Sequence, residues 1–280
     1  MKKIWANTLV QNEERYLWYA VTSVIDYLDK ILIWDTGSTD KTVEIIKILQ
    51  KKYPRKVEFK EIGEVDIDKF TSVRQQMLDE TKADWVLILD GDEVWWDDSI
   101  KEVIETIQKL GDNLETIINS YYNVVGDIYH YQEKKAGKYK IDGKTGHLTI
   151  RAMNRKIPGL HLENPHGTQG FFDDKGKLIQ ERGRDNRKHI DAPFMHFTHM
   201  IRSSNLENDL NVPKRKIKRK IEIGNKFPLD FHYPEAFFKP KPRIVPSSWS
   251  KMNRNYFLKA IVYTPLRKIK RRIIHGKTGY

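Results

Sequence analysis

What this 280-residue chain lacks bounds what it can do. It has no cysteine, which excludes disulfides, thiol nucleophiles and Cys-based zinc or iron–sulfur sites, and agrees with a reducing compartment. It has no run approaching the ~18–20 apolar residues that span a bilayer. Behind Met1-Lys2-Lys3, the polar Gln11-Asn12-Glu13-Glu14-Arg15 arrives too early for a secretory-signal core, so a cytoplasmic location is expected. Internal repeats and low-complexity tracts are also missing. The first 204 residues have almost no net charge, with 31 basic against 33 acidic side chains.

The formal charge of +12 therefore belongs to the remainder. Residues 205–280 hold 19 Lys/Arg and 5 Asp/Glu, so an anionic surface would be met there rather than at the body of the protein. With 39% hydrophobic and 31% charged residues, the chain has the balance of a globular protein with ample material for a core.

The first hundred residues alternate strand and helix patterns. Ile4–Val10 opens as a strand, and Leu17, Val21, Val24, Ile25 and Leu28 recur at helical spacing behind the acidic Glu13-Glu14. Ile31-Leu32-Ile33-Trp34 is a short apolar strand ending at Asp35. Asp35-Thr36-Gly37-Ser38-Thr39-Asp40 is turn chemistry before a helix carrying Val43, Ile46, Ile48 and Leu49. Residues 57–62 alternate as a third strand, and 68–81 read as a helix burying Phe70, Val73, Met77 and Leu78. Trp85-Val86-Leu87-Ile88-Leu89 is apolar on both faces, as the centre of a parallel sheet requires, and a helix over about 99–110 follows. This alternation predicts a doubly wound, mainly parallel α/β sheet, in which ligands bind at the carboxyl ends of the strands. Both Asp35 and Asp90 fall there.

Residues 116–125 and 147–154 read as further strands that complete the sheet edge and add an acceptor-side wall. We expect a boundary near 203–212, dividing a domain over 1–205 (halves 1–110 and 111–205) from a basic, helical extension over 206–280.

Asp90-Gly91-Asp92-Glu93 places three carboxylates on four residues after a buried strand. Such crowding demands a neutralising cation or donors, and hard oxygens suit Mg²⁺ or Mn²⁺ bridging a diphosphate. The plain alternative is a solvated turn that caps the next helix. Asp35 is a turn former or a ligand to a nucleobase or ribose. Arg74, on an otherwise apolar helical turn, is a surface residue or points toward a diphosphate. His161, Glu163, His166, His196 and His199 form two loose groups; they match no closed zinc pattern and are structural hydrogen-bonders or metal ligands.

Taken together, these residues resemble glycosyltransferase family 2, of GT-A fold, and within it the lipopolysaccharide-core β-glucosyltransferase-like members. The matching pieces are Asn12-Glu13-Glu14, the stretch from Ile33 to Thr42, Phe70-Thr71-Ser72-Val73-Arg74-Gln75, and Asp84 through Glu93. The resemblance implies that Val10, Gln11 and Glu13 line a nucleobase pocket, Asp35 binds the base, and Arg74 stands near base or diphosphate. Asp90 and Gly91 would meet the ribose, with Asp92 as ligand of a metal on the diphosphate. It implies transfer of one sugar from a nucleotide-sugar donor, a UDP-sugar or similar, with inversion and a carboxylate base.

Later resemblance is looser. Thr149-Ile150-Arg151-Ala152-Met153-Asn154-Arg155 is similar to the subgroup's Arg-Leu-Phe-Arg segment. His166 falls where a His-Glu pair is usual, but Gly167 follows it. His196-Phe197-Thr198-His199 is similar to a His-Tyr-x-Tyr stretch. Glu163 and Asp191 are the candidate bases, and His166 and His196 the candidate imidazole metal ligands.

In the tail, 214–220 and 267–272 are dense cationic clusters, the second following Tyr256, Phe257, Leu258, Ile261, Val262 and Tyr263. This mix suits an amphipathic helix on an anionic membrane beside a saccharide or lipid-linked acceptor; a solvated basic helix is the alternative. No RNA- or DNA-binding motif supports a nucleic-acid partner. Two other functions stay open. A nucleotidyltransferase would want a glycine-rich loop after the first strand, and Val10 to Arg15 contains no glycine. A catalytically inactive adaptor that binds membrane is compatible with Gly167.

Overall fold

The computed structural model describes residues 1–273; residues 274–280 of the expected basic extension lie outside the described residues. Strands β1 (Ile4–Val10), β2 (Lys30–Asp35), β3 (Val57–Glu61) and β4 (Trp85–Ile88) alternate with helices α1 (Leu17–Val24), α2 (Thr42–Lys52) and α3 (Lys69–Glu80). The strands pair in parallel in the order β3-β2-β1-β4. Period-two alternation sends Ile31 and Ile33 into the main core with α1 and α2, and Leu32 and Trp34 against Val73 and Met77 of α3. Every residue of β4 is buried, because helices cover both faces of the sheet. The doubly wound α/β sheet expected from the sequence is present.

Short β5 (Glu93–Trp95) precedes α4 (Asp97–Leu110), whose first turn carries Asp97 and Asp98 and whose last turn carries Lys109, in keeping with the helix dipole. Then come β6 (Thr116–Val125), β7 (Asp127–Tyr131), β8 (Tyr139–Ile141), β9 (Lys144–Gly146), β10 (Leu148–Asn154), β11 (His161–Glu163), β12 (Gly170–Phe172) and β13 (Arg187–His196). These do not add to the sheet in chain order. Strand β10 slots between β4 and β6, antiparallel to both. Strand β13 runs parallel to β6 and ends antiparallel to β5, in a register that sets His196 opposite Glu93.

The last described elements are α5 (Leu206–Asn211), α6 (Arg215–Lys218), β14 (Asn225–Lys226) and α7 (Arg254–Ile273). Residues just beyond β13 fold back on the first loop: Arg15 N donates to Arg202 O at 3.0 Å, and Asn12 Nδ2 donates to Asn208 O at 2.9 Å. Helix α7 docks through one stripe. Its Tyr256 hydroxyl donates to Lys220 O, Ala260 is buried, Thr264 Oγ1 accepts from Ile223 N, and Arg267 Nε donates to Ile221 O. Leu258, Ile261, Val262, Leu266, Ile269 and Ile273 are left exposed. Among the described residues no helix is long and apolar enough to cross a membrane.

Candidate active site

Strand β4 delivers Asp90 to the carboxyl edge of the sheet, and the turn through Gly91 returns the chain into β5. A Cβ at Gly91 would lie 3.0 Å from Val10 Cγ1 and 3.1 Å from Glu13 Cγ, so glycine is what lets this turn press against the end of β1. The acidic turn and the first loop thereby share one wall.

Four arginines from four separate segments meet the carboxylates gathered there. Arg74 Nη2 lies 3.1 Å from Asp90 Oδ1, and Arg151 Nη2 lies 3.1 Å from Asp90 Oδ2 while also contacting Glu93. Arg202 Nη1 bridges Asp92 Oδ2 and Glu13 Oε1, each at 2.8 Å. Arg215 Nη2 reaches Glu13 Oε1 at 2.6 Å and Gln11 O at 2.9 Å, and its Nη1 donates to Asn12 O at 2.7 Å.

Burial and charge pull these acids apart in proton affinity. Burial would raise the Asp92 carboxyl, but Arg202 and then His196 outweigh it and hold it well below the ordinary range. Asp90 is likewise held low against burial by Arg151 and Arg74. Glu93 goes the other way: burial drives it well above the ordinary range against the pull of Arg151, with Asp90 and Asp92 adding to the rise. At Glu13 burial overcomes Arg202 and Arg215 and pushes the carboxyl up to about 8. Asp90 and Asp92 are thus pushed one way and Glu13 and Glu93 the other.

The donor set fits a divalent cation. His196 Nε2 stands 3.6 Å from Asp92 Oδ1 and 3.8 Å from Glu93 Oε1, too far for hydrogen bonds. One ligand atom each from Asp90, Glu93 and His196 lies within 4.8 Å of the others, as ligands at ~2.1 Å from a shared ion would. Asp92 Oδ1 is turned to His196 while Oδ2 takes Arg202. Among the described residues, buried Glu13 Oε2 and His196 Nδ1 have no hydrogen-bond partner. Carboxylate oxygens with one imidazole suit Mn²⁺ or Mg²⁺.

Of the residues singled out from the sequence, Val10, Gln11, Glu13, Arg74, Asp90, Gly91, Asp92, His166 and His196 line one cleft of about 1000 Å³. Asp35 is buried at the end of β2 and does not line it. Its carboxylate closes the turn, accepting from Gly37 N at 3.0 Å, Ser38 N at 2.9 Å and the Ser38 hydroxyl. His166 packs at a tilt against Phe70, with ring centroids 4.1 Å apart, and is not part of the Asp90–Glu93–His196 group. Burial, with Lys218 and Arg74 nearby, lowers its pKa to about 4, so the ring is neutral. Gly167 has φ +98°, a left-handed conformation that favours glycine and explains why a bulkier residue does not follow His166.

Neither candidate base lines the cleft. Glu163 is on the β11–β12 hairpin, with Oε1 2.8 Å from His161 Nε2, and Asp191 is exposed where β13 shifts register between Ile190 and Phe194. Arg202 carries no sequence signal and Arg215 stands in the sequence only as one cation of the 214–220 cluster, because both meet Glu13 from across the chain. Arg151 sits at the irregularity between Ile150 and Ala152, and a bulge re-aims a side chain in a way that alternation does not foretell.

Residues 8–175 match the family model described as Glycosyl transferase family 2. Over 163 residues the chain is 32% identical to an uncharacterized glycosyltransferase of Rickettsia typhi, a stretch covering 56% of this chain and 48% of that protein. The chain thus spans about half the length of this curated relative. Among solved structures, the glucosyl-3-phosphoglycerate synthase of Mycobacterium tuberculosis in complex with Mn²⁺, UDP and glucosyl-3-phosphoglycerate is similar at TM-score 0.44 and 14% identity, over 78% of this chain and 80% of that one. A mannosyltransferase of Pyrobaculum calidifontis in complex with GDP-Man and Mn²⁺ is similar at TM-score 0.43 and 16% identity, over 70% and 57%.

Proposed function

This chain belongs to glycosyltransferase family 2, and from that premise we propose that it moves a single sugar from a nucleotide-sugar donor, a UDP-sugar, to a saccharide or lipid-linked acceptor. The transfer is inverting and depends on Mn²⁺ or Mg²⁺. The observation that carries this reading is the convergence of Asp90, Glu93 and His196, with Asp92 Oδ1 3.6 Å from His196 Nε2, at the carboxyl edge of the parallel sheet, where Asp90, Asp92 and His196 line a cleft.

In this mechanism Val10, Gln11 and Glu13 form the wall against the nucleobase, and Asp35, its carboxylate taken up by Gly37 and Ser38, shapes the turn behind that wall. Asp90 meets the ribose beside Gly91, and Arg74 stands at the diphosphate. Asp92, whose Oδ1 is turned to His196, would hold the divalent ion together with His196, Glu93 and the Asp90 carboxylate. When bound, that ion neutralises charge developing on the departing nucleoside diphosphate. His166, expected from the sequence as a second imidazole ligand, instead serves with Phe70 as a neutral wall.

An acceptor hydroxyl oxygen bonds to the anomeric carbon as the bond from that carbon to the diphosphate breaks, and the hydroxyl proton passes to a carboxylate. Glu163 is the better placed of the two candidate bases, because its strand partner Gly170 lines the cleft whereas Asp191 points from an exposed bulge. Glu163→Gln should then depress transfer while leaving nucleotide affinity unchanged.

The similarity of Thr149 to Arg155 and of His196 to His199 to the lipopolysaccharide-core β-glucosyltransferase-like members is part of this proposal. So is a peripheral position on the cytoplasmic face of a membrane. Helix α7 would lie there with Leu258, Ile261, Val262, Leu266, Ile269 and Ile273 in the interface and Lys259, Lys268 and Arg272 toward anionic headgroups.

A screen of nucleotide sugars for release of free nucleotide, with Mn²⁺ and with chelator, tests the reading. At least one donor should turn over only with metal. Turnover unaffected by chelation, or none with any donor, would contradict it.

A further inference from the structure

The cleft continues well past the acidic turn. Beyond Arg151 and His196 its wall is formed by the loop after β7 and by the 218–220 segment, with the C-terminal half of α7 closing the side. Lys135, Lys138, Lys218, Lys220, Arg267 and Lys270 line it. At about 1000 Å³ the whole cleft is at the upper end of the ~300–1,000 Å³ range of small-molecule sites, so it has room for more than a donor.

The cations at this end are unmatched. Among the described residues, Lys135, Lys138, Lys218, Lys220 and Lys270 have no carboxylate within ion-pair distance, and Lys220 Nζ donates only to Ile217 O at 3.1 Å. The two nearest acids on this wall, Glu133 and Glu222, both pair with Arg271, and Glu222 also accepts from Gln132. Burial lowers the Lys220 pKa, and Arg267, Lys138, Arg271 and Lys270 lower it further, so these side chains feel one another directly. Like charges gathered on a concave wall repel unless an anion enters, and such a wall also draws anions in.

We propose that the acceptor carries a phosphate or diphosphate group, and that Lys138, Lys220 and Lys270 hold it at this end of the cleft, whereas Lys218 stands by Asp90, Asp92 and Arg202. This assignment rests on the donor reading above, which places the nucleotide at the opposite, acidic end. The same helix that supplies Lys270 leaves an apolar stripe exposed, which provides a path for a lipid attached to that phosphate.

The test titrates inorganic phosphate into the full chain with and without saturating UDP and Mg²⁺. The wild type should bind phosphate in both states, because the two sites are separate. The Lys138→Ala, Lys220→Ala, Lys270→Ala triple variant should bind it at least tenfold more weakly. Its Lys→Arg counterpart should restore binding, and a charge-matched Lys51→Ala, Lys82→Ala, Lys101→Ala control should bind as the wild type does. Absence of phosphate binding in the wild type, or equal loss in the control, overturns the proposal. Vesicles of phosphatidylglycerol distinguish the remaining source. If the triple variant loses vesicle binding but keeps phosphate affinity, the lysines serve bilayer headgroups and the proposal fails. Failure to bind UDP would count against the donor reading, while phosphate titration without UDP still decides this one.

Discussion

At the acidic end of the cleft Glu13, Asp90, Asp92 and Glu93 each meet a guanidinium, whereas at the basic end Lys135, Lys138, Lys220 and Lys270 meet no carboxylate among the described residues. Both ends are dense in charge, yet they differ in how that charge is satisfied. Arg74, Arg151, Arg202 and Arg215 fix the acids in place, and Arg202 takes Asp92 Oδ2 so that Oδ1 is turned toward His196. The lysines are long, flexible and unfixed. Pairing, rather than sign or density, therefore separates a pre-organised centre from a surface that takes its counter-charge from a ligand.

Breaking the acidic end at Asp92, the carboxylate turned to His196, should have the largest effect. Asp92→Ala is expected to lower donor turnover by more than ~100-fold, beyond what loss of a supporting group costs. Far-UV circular dichroism should stay as in the wild type, since Arg202 retains Glu13. Turnover within tenfold of wild type would remove Asp92 from the mechanism.

Next is the arginine frame itself. Arg202→Ala leaves Asp92 and Glu13 buried with one cation fewer, and removing one partner of a buried pair costs about 3–5 kcal/mol. Urea denaturation should show a loss of that order. A loss below ~0.5 kcal/mol, the scale of an exposed pair, would mean the frame is solvated.

Proton linkage sharpens the contrast from both sides. Glu13 is raised to about 8 from the ordinary 4.5, so the stability it contributes is full below 4.5 and is lost as pH rises through 8. His147, His166 and His199, the last two beside cleft lysines, are lowered by burial to about 4, 4 and 3 from 6.5. Their contribution is present above 6.5 and lost as pH falls through 4. Denaturation midpoints should therefore peak near pH 6.5 and fall towards 8, and Glu13→Gln should flatten the alkaline limb alone.

The smallest effect concerns α7. Ile261→Asp with Ile269→Asp should weaken binding to phosphatidylglycerol vesicles by about tenfold, a ~1.4 kcal/mol change, within what one buried aliphatic side chain contributes. Donor turnover in detergent-free solution provides the comparison, and vesicle binding equal to wild type would detach α7 from the membrane.

The parallel half of the fold is legible in the sequence because its signal is local. Trp85 to Leu89 is apolar on both faces, and only a doubly covered strand needs that. The turn at Asp90 follows for the same reason. The second half is less legible, since β10 enters between β4 and β6 on tertiary grounds that alternation alone does not carry. His196 was singled out as an imidazole, but its place opposite Glu93 depends on the β13–β5 register. Arg202 lies 110 positions from Asp92, and no spacing rule spans that distance. Asp35 shows the opposite limit: capping and ligand chemistry call for the same residue type at the same turn, and only coordinates separate Gly37 and Ser38 from a base.

Calorimetric titration of UDP into the wild-type and Asp92→Ala chains, with Mn²⁺ and with chelator, addresses the central claim most directly. The geometry predicts binding by the wild type in the presence of metal, sharply weakened by chelation and by Asp92→Ala alike. Equal UDP affinity in all four titrations would contradict a metal-dependent donor site at the Asp90-Gly91-Asp92-Glu93 turn.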